Sequence, residues 1–145
     1  MIAMKALLIV LLSIAFSMSS AQQGEELNAR YIPQATKSRL KKAYPKARKI
    51  LWFKDGGKYT ASFYVDKKEY ESTFDGAGNL LMTEMEVLPQ ELPPKAEELV
   101  HSRFPAERIM AVHKSIDNTQ RVRYSAILRD RVLVFDTEGN LVEEK

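Results

Sequence analysis

The sequence predicts an α+β fold of two tandem units, each a helix followed by a four-stranded antiparallel sheet. Three observations carry this. Residues 33–45 read P-Q-A-T-K-S-R-L-K-K-A-Y-P and residues 93–105 read P-P-K-A-E-E-L-V-H-S-R-F-P, with the same proline spacing and an aromatic before the last proline. The run Phe74-Asp75-Gly76-Ala77-Gly78-Asn79-Leu80 recurs as Phe135-Asp136-Thr137-Glu138-Gly139-Asn140-Leu141. The offsets of 60 and 61 residues match a whole supersecondary unit. Between these landmarks apolar and polar residues alternate, as they do in strands with one buried face.

The first helix is drawn by Thr36, Leu40, Ala43 and Tyr44, and the second by Ala96, Leu99, Val100 and Phe104, each set forming one helical stripe. Proline suits a helix's first turn, because its missing N–H had no partner there. The Tyr44-Pro45 and Phe104-Pro105 steps end the helices, since a residue before proline is pushed out of the helical region. A first strand over 48–54 is apolar on both sides, so either face can be the inward one. Asp55-Gly56-Gly57 then signals a tight turn. Over 58–65, Tyr59, Ala61, Phe63 and Val65 form the more apolar set. Val122, Tyr124, Ala126 and Leu128 are their counterparts, and both sets are expected to face a helix. Third strands end at Phe74 and Phe135. Type I-based turns with Asp first and Gly fourth follow, then strands over 80–86 and 141–143.

The N-terminus reads as a targeting segment. One lysine lies in residues 1–5, residues 6–16 are apolar apart from Ser13, and Ser19 and Ala21 supply a small-residue cleavage site. The apolar run is short for a membrane span. The expected organisation is a signal peptide over 1–21, a first unit over 22–87 and a second over 88–145. The mature protein starts at Gln22, is periplasmic or secreted, and has no stable membrane span. The chain has no cysteine, which excludes disulfides and a lipidated N-terminal cysteine. A unit of about sixty residues is marginal alone, so the two are expected to share an interface or a continuous sheet.

Charge is uneven. Residues 22–60 hold ten basic and three acidic side chains, whereas 61–145 hold eleven basic and sixteen acidic ones. The overall net charge of +3 does not point to nucleic acid. The asymmetry points to a basic first helix.

The two proline-bounded helices, each followed by a meander closing on F-D-x-x-G-N-L, resemble the PepSY-like family of exported bacterial proteins. That family is also described as β-lactamase-inhibitor-like. The resemblance covers residues 31–145. It implies a helix on a four-stranded sheet in each unit, with the sheets presenting a concave surface to a target protein. It implies no catalytic residues, and no cofactor is expected.

The residues agree with a non-catalytic role. There is no cysteine nucleophile, no G-x-S-x-G elbow and no phosphate-binding loop of the G-x-x-x-x-G-K-[ST] type. Of the two histidines, His101 shares a helix face with Glu97 and His113 lies on a strand, and two ligands do not make a metal site. The Asp75 and Asp136 turns lack the ligand pattern of a calcium loop. Two surfaces remain. Aromatic residues are concentrated in the first unit, and Trp52, Tyr64 and Tyr70 are the candidate protein-binding residues, with core packing the competing role for Trp52. Lys37, Lys41, Lys42, Lys46 and Arg48 form a candidate basic patch, with a plain solvated helix face as the competing reading. The expected function is binding to another exported or envelope protein, as an inhibitor or otherwise, through the open sheet face. The alternative is a small-molecule or anion binder using the basic helix or a pocket between the units.

Overall fold

The computed structural model describes residues 24–145; the expected signal peptide lies outside the described residues. Strands β1 (Glu25–Leu27), β2 (Arg48–Asp55), β3 (Lys58–Val65), β4 (Lys68–Phe74) and β5 (Leu80–Val87) are followed by β6 (Ala111–Asp117), β7 (Val122–Ile127), β8 (Val132–Phe135) and β9 (Leu141–Glu144). They form one antiparallel sheet in chain order. Helix α1 (Gln34–Ala43) lies between β1 and β2, and α2 (Pro94–Arg103) between β5 and β6.

This corrects the expected fold class. Among the described residues the protein is mostly β, a single nine-stranded sheet with two α-helices and 45% strand, not an α+β pair of helix-plus-four-strand units. The physical reason lies at the joint. Strands β5 and β6 pair from Met82↔Asp117 to Val87↔Val112, so their backbone groups satisfy one another and neither is left as an edge. A further strand, β1, pairs with β2 through Leu27↔Trp52 and was not anticipated.

The helix boundaries follow from the sequence. Pro33 and Pro93 stand at the N-cap rather than in the first turn, which in α2 is taken by Pro94. Tyr44 and Phe104 close the helices, their N–H groups donating to the carbonyls of Leu40 and Val100, both at 2.8 Å. Leu40 packs with Trp52, Ala61, Phe63 and Phe74; Ala96 and Val100 pack with Val112, Ala126, Leu133 and Phe135.

Paired residues across a ladder point to the same side. The row Phe63↔Tyr70↔Met85↔Lys114↔Tyr124↔Phe135 therefore lies on one face, and it joins the two cores. Both helices cover that face, and the alternate residues point to the second face.

The turns before β5 and β9 are built alike. Asp75 Oδ1 accepts from the backbone N–H groups of Ala77 and Asn79, each at 2.9 Å, and Asp136 Oδ1 does the same for Glu138 and Asn140. Gly78 and Gly139 both have φ of +86°. A Cβ on Gly139 would lie 2.8 Å from the backbone nitrogen of Ala96, so glycine also permits close approach of the turn to the start of α2.

Candidate functional site

Register separates the three candidate aromatics. Trp52 pairs with Ala61 and Tyr70 with Phe63, which places both on the helix-covered face. Trp52 is only 4% exposed, with its ring centroid 6.1 Å from that of Phe74. Tyr70 stacks on Phe63 at 5.8 Å and meets Tyr44 at 5.7 Å. The open-face placement of Trp52 and Tyr70 is therefore corrected: in β4 the inward side is the aromatic one, and β2 carries one aromatic on each face, Trp52 inward and Phe53 outward opposite Thr60. Tyr64 lies on the second face as expected, opposite Glu69 and Arg48. Burial and the Glu69 carboxylate beside it push its hydroxyl above the ordinary range. Lys49, held at φ +53° by a bulge in β2, places its Nζ 5.9 Å from the Tyr64 ring centroid.

The second face over β2–β5 carries features that the sequence reading did not single out. Glu71 stands directly opposite Glu84, and Glu69 and Glu86 line the same small cavity with them and His113. Ser62 Oγ donates to Glu69 Oε1 at 3.3 Å, and Glu84 Oε1 lies 3.2 Å from Nδ1 of the buried His113. Burial, then the Glu84 and Glu69 carboxylates, push the Glu71 carboxyl up to about 8. Leu51, opposite Ser62, and Met82, opposite Thr73, flank these carboxylates with exposed apolar side chains. A signal was present in the sequence. Glu69 and Glu71, like Glu84 and Glu86, are two apart, which puts each pair on one face of its own strand.

Further along this face, Ala111, Ile127, Val132 and Val134 form a separate buried apolar cluster over β6–β8. His101 makes an exposed i,i+4 contact of 3.6 Å with Glu97. Among the described residues, no group of three or more His, Asp or Glu side chains has the arrangement to hold a metal ion. No described helix is long and apolar enough to cross a membrane.

No family model matches the sequence, and no curated protein matches it. Solved structures do match. A BLIP-like protein from Bacteroides fragilis is 31% identical, with 79% of this chain and 87% of that chain covered and a TM-score of 0.66. The chain belongs to the BLIP-like family. A DUF2874 family protein from Bacteroides uniformis aligns at 18% identity and TM-score 0.72, covering 79% of this chain and 89% of that one. A candidate periplasmic protein from Bacteroides eggerthii also aligns at 18% identity and TM-score 0.72, over 79% and 88% of the two chains. These last two show the shared fold.

In this BLIP-like chain the basic patch is not one surface with Tyr64. Lys37, Lys41 and Lys42 belong to α1, on the helix side of the sheet, and Lys46 follows that helix. Lys41, Lys42 and Lys46 are exposed and Lys37 is half-buried. Arg48 alone is brought beside Tyr64, by cross-strand pairing.

Proposed function

We propose that this BLIP-like chain is an exported, non-catalytic periplasmic protein that binds another protein with the second sheet face over β2–β5. The observation that carries this is the composition of that face. It lies away from both helices and combines Tyr64, Leu51 and Met82 with the opposed carboxylates Glu71 and Glu84 and with Glu69 and Glu86 beside them. A mosaic of aromatic, apolar and charged groups on a broad sheet suits a protein partner better than a small ligand. Inhibition, which the β-lactamase-inhibitor-like resemblance implies, is one form such binding takes. Periplasmic residence accords with the signal-peptide pattern of residues 1–21 and with structural neighbours described as periplasmic.

The test is capture of envelope proteins by the exported chain, followed by face variants on whatever is captured. Tyr64→Ala is expected to weaken binding by about 2 kcal/mol, roughly thirtyfold, chiefly through faster dissociation. Lys41→Glu with Lys42→Glu is expected to leave dissociation unchanged and at most slow association at low salt. The reverse pattern would move the site to the basic outer face of α1 and support an anion binder instead.

A further inference from the structure

Residues 28–54, which run through α1 into β2, hold nine lysines and arginines and no aspartate or glutamate. The stretch 88–114, which runs through α2 on the same proline-bounded pattern, holds four basic and four acidic side chains. A helix packed on this sheet therefore does not need the positive charge. Position by position, Lys37 answers to Glu97, Lys41 to His101 and Lys46 to Ala106. The cations of α1 are also uncompensated. Among the described residues, every ion pair joins residues between Glu84 and Lys145, and no carboxylate stands at ion-pair distance from Lys37, Arg39, Lys41, Lys42 or Lys46. Lys37 and Lys41 are one helical turn apart, and like charges at that spacing repel.

We propose that the outer face of α1 docks the protein on an anionic membrane surface, its lysines and arginine reaching lipid phosphates. Charge complementarity selects an anionic occupant, and the make-up of the face separates a membrane from an acidic protein. A protein interface needs a desolvated apolar or aromatic anchor, and lysine is depleted there. α1 turns Gln34, Ala35, Ser38, Arg39, Lys41 and Lys42 outward, and none of the exposed large apolar residues lies in it. Flexible lysines without an anchor suit a diffuse field of headgroups, to which each cation adds without a fixed geometry. Ahead of the helix, the exposed ring of Tyr31 has Arg30 over it at 4.6 Å, and amphipathic rings are favoured at headgroup level. Thr36 and Leu40, on the inner side of α1, are buried, so the contact is electrostatic and the helix does not insert. The rest of the molecule sets the orientation. Residues 61–145 carry sixteen acidic against eleven basic side chains, and an anionic surface repels them. Because α1 covers one side of the sheet, the second face points away from the membrane and stays open to a partner. The proposal goes beyond the sheet-face reading and does not depend on it.

Cosedimentation of the exported protein with vesicles tests this. Phosphatidylcholine vesicles with about one-third phosphatidylglycerol are expected to bind it at about 0.1 M salt and release it at about 0.5 M, because salt screens exposed charges. Phosphatidylcholine alone should bind at least about tenfold more weakly. Lys41→Glu with Lys42→Glu should weaken binding to the anionic vesicles by about twentyfold or more, since each surface cation contributes about fivefold. Arg108→Glu with Arg129→Glu makes the same change in net charge away from α1, at exposed positions outside any ion pair. That variant should bind within about threefold of the parent, because surface attraction falls off within a Debye length. All four side chains are exposed, so circular dichroism should show both variants folded. Equal binding to the two vesicle types, or an equal loss in the two double variants, overturns the proposal. So does tight binding to immobilised polyglutamate with none to the vesicles, which would make the occupant an acidic protein.

Discussion

Phe74 and Phe135 show how much a single position carries. Each ends its strand, is 0% exposed and packs in the core beneath one helix. Truncating either to alanine is expected to cost about 3–5 kcal/mol, read as a lowered denaturant midpoint. Glu71 works in the opposite sense. Its carboxyl is raised in the folded protein to about 8 against an ordinary 4.5, so folding favours the protonated form. Stability from this group is fully present below about 4.5 and is lost as pH rises through about 8. Glu71→Gln should therefore flatten the fall in stability across that window and leave the variant more stable than the parent above pH 8. A Glu71→Gln protein whose stability falls with pH exactly as the parent's does would show that the carboxyl titrates normally. Asp75, Asp117 and Asp136 have lowered pKa values, chiefly from side-chain hydrogen bonds with Asn79, Thr119 and Asn140, and lose their contribution as pH falls.

At the scale of elements, the two aspartate turns decide how the helices meet the sheet. Gly139 has a positive φ and lies against the first turn of α2, so an added methyl group is both strained and obstructed. Gly76 has ordinary φ, and a Cβ there would come no closer than 3.3 Å to the Gly57 carbonyl oxygen. Gly139→Ala is expected to destabilise by more than about 1 kcal/mol, and Gly76→Ala by much less. Thermal denaturation of the two variants checks the order. The edges of the sheet are short, with three residues in β1 and four in β9, and both carry glutamates. Short charged edges discourage pairing with other chains.

At the scale of the whole molecule, the unbroken ladder from β1 to β9 makes the two helix-covered cores one structure. Loss of packing under α2 should therefore be felt under α1. The protein's one tryptophan, Trp52, is buried in the α1 core and reports on it by fluorescence. Phe135→Ala, five strands beyond β3, is expected to lower the midpoint seen by Trp52 fluorescence as far as that seen by circular dichroism. Two separated transitions would mean that the β5–β6 ladder does not couple the halves.

By itself the sequence determined local structure. Helix ends were legible because proline forbids continuation, the turns because aspartate and glycine have few conformations, and the inward residues of β3 and β7 because alternation has a period of two. The outward placement of Tyr64 was legible for the same reason. Tertiary structure decided what depends on pairing across long separations. Whether the β5 and β6 edges meet or stay apart is written in no local pattern, so a continuous sheet and a mere interface both stood open, and only the pairing of β5 with β6 decided the fold class. Trp52 lies in a strand apolar on both sides, and only its pairing with Ala61 and the packing of α1 chose the inward face. The carboxylate rows were half visible: spacing put each pair on one face of its strand, but only the β4–β5 register set Glu71 against Glu84 and made their mutual repulsion a property of the site.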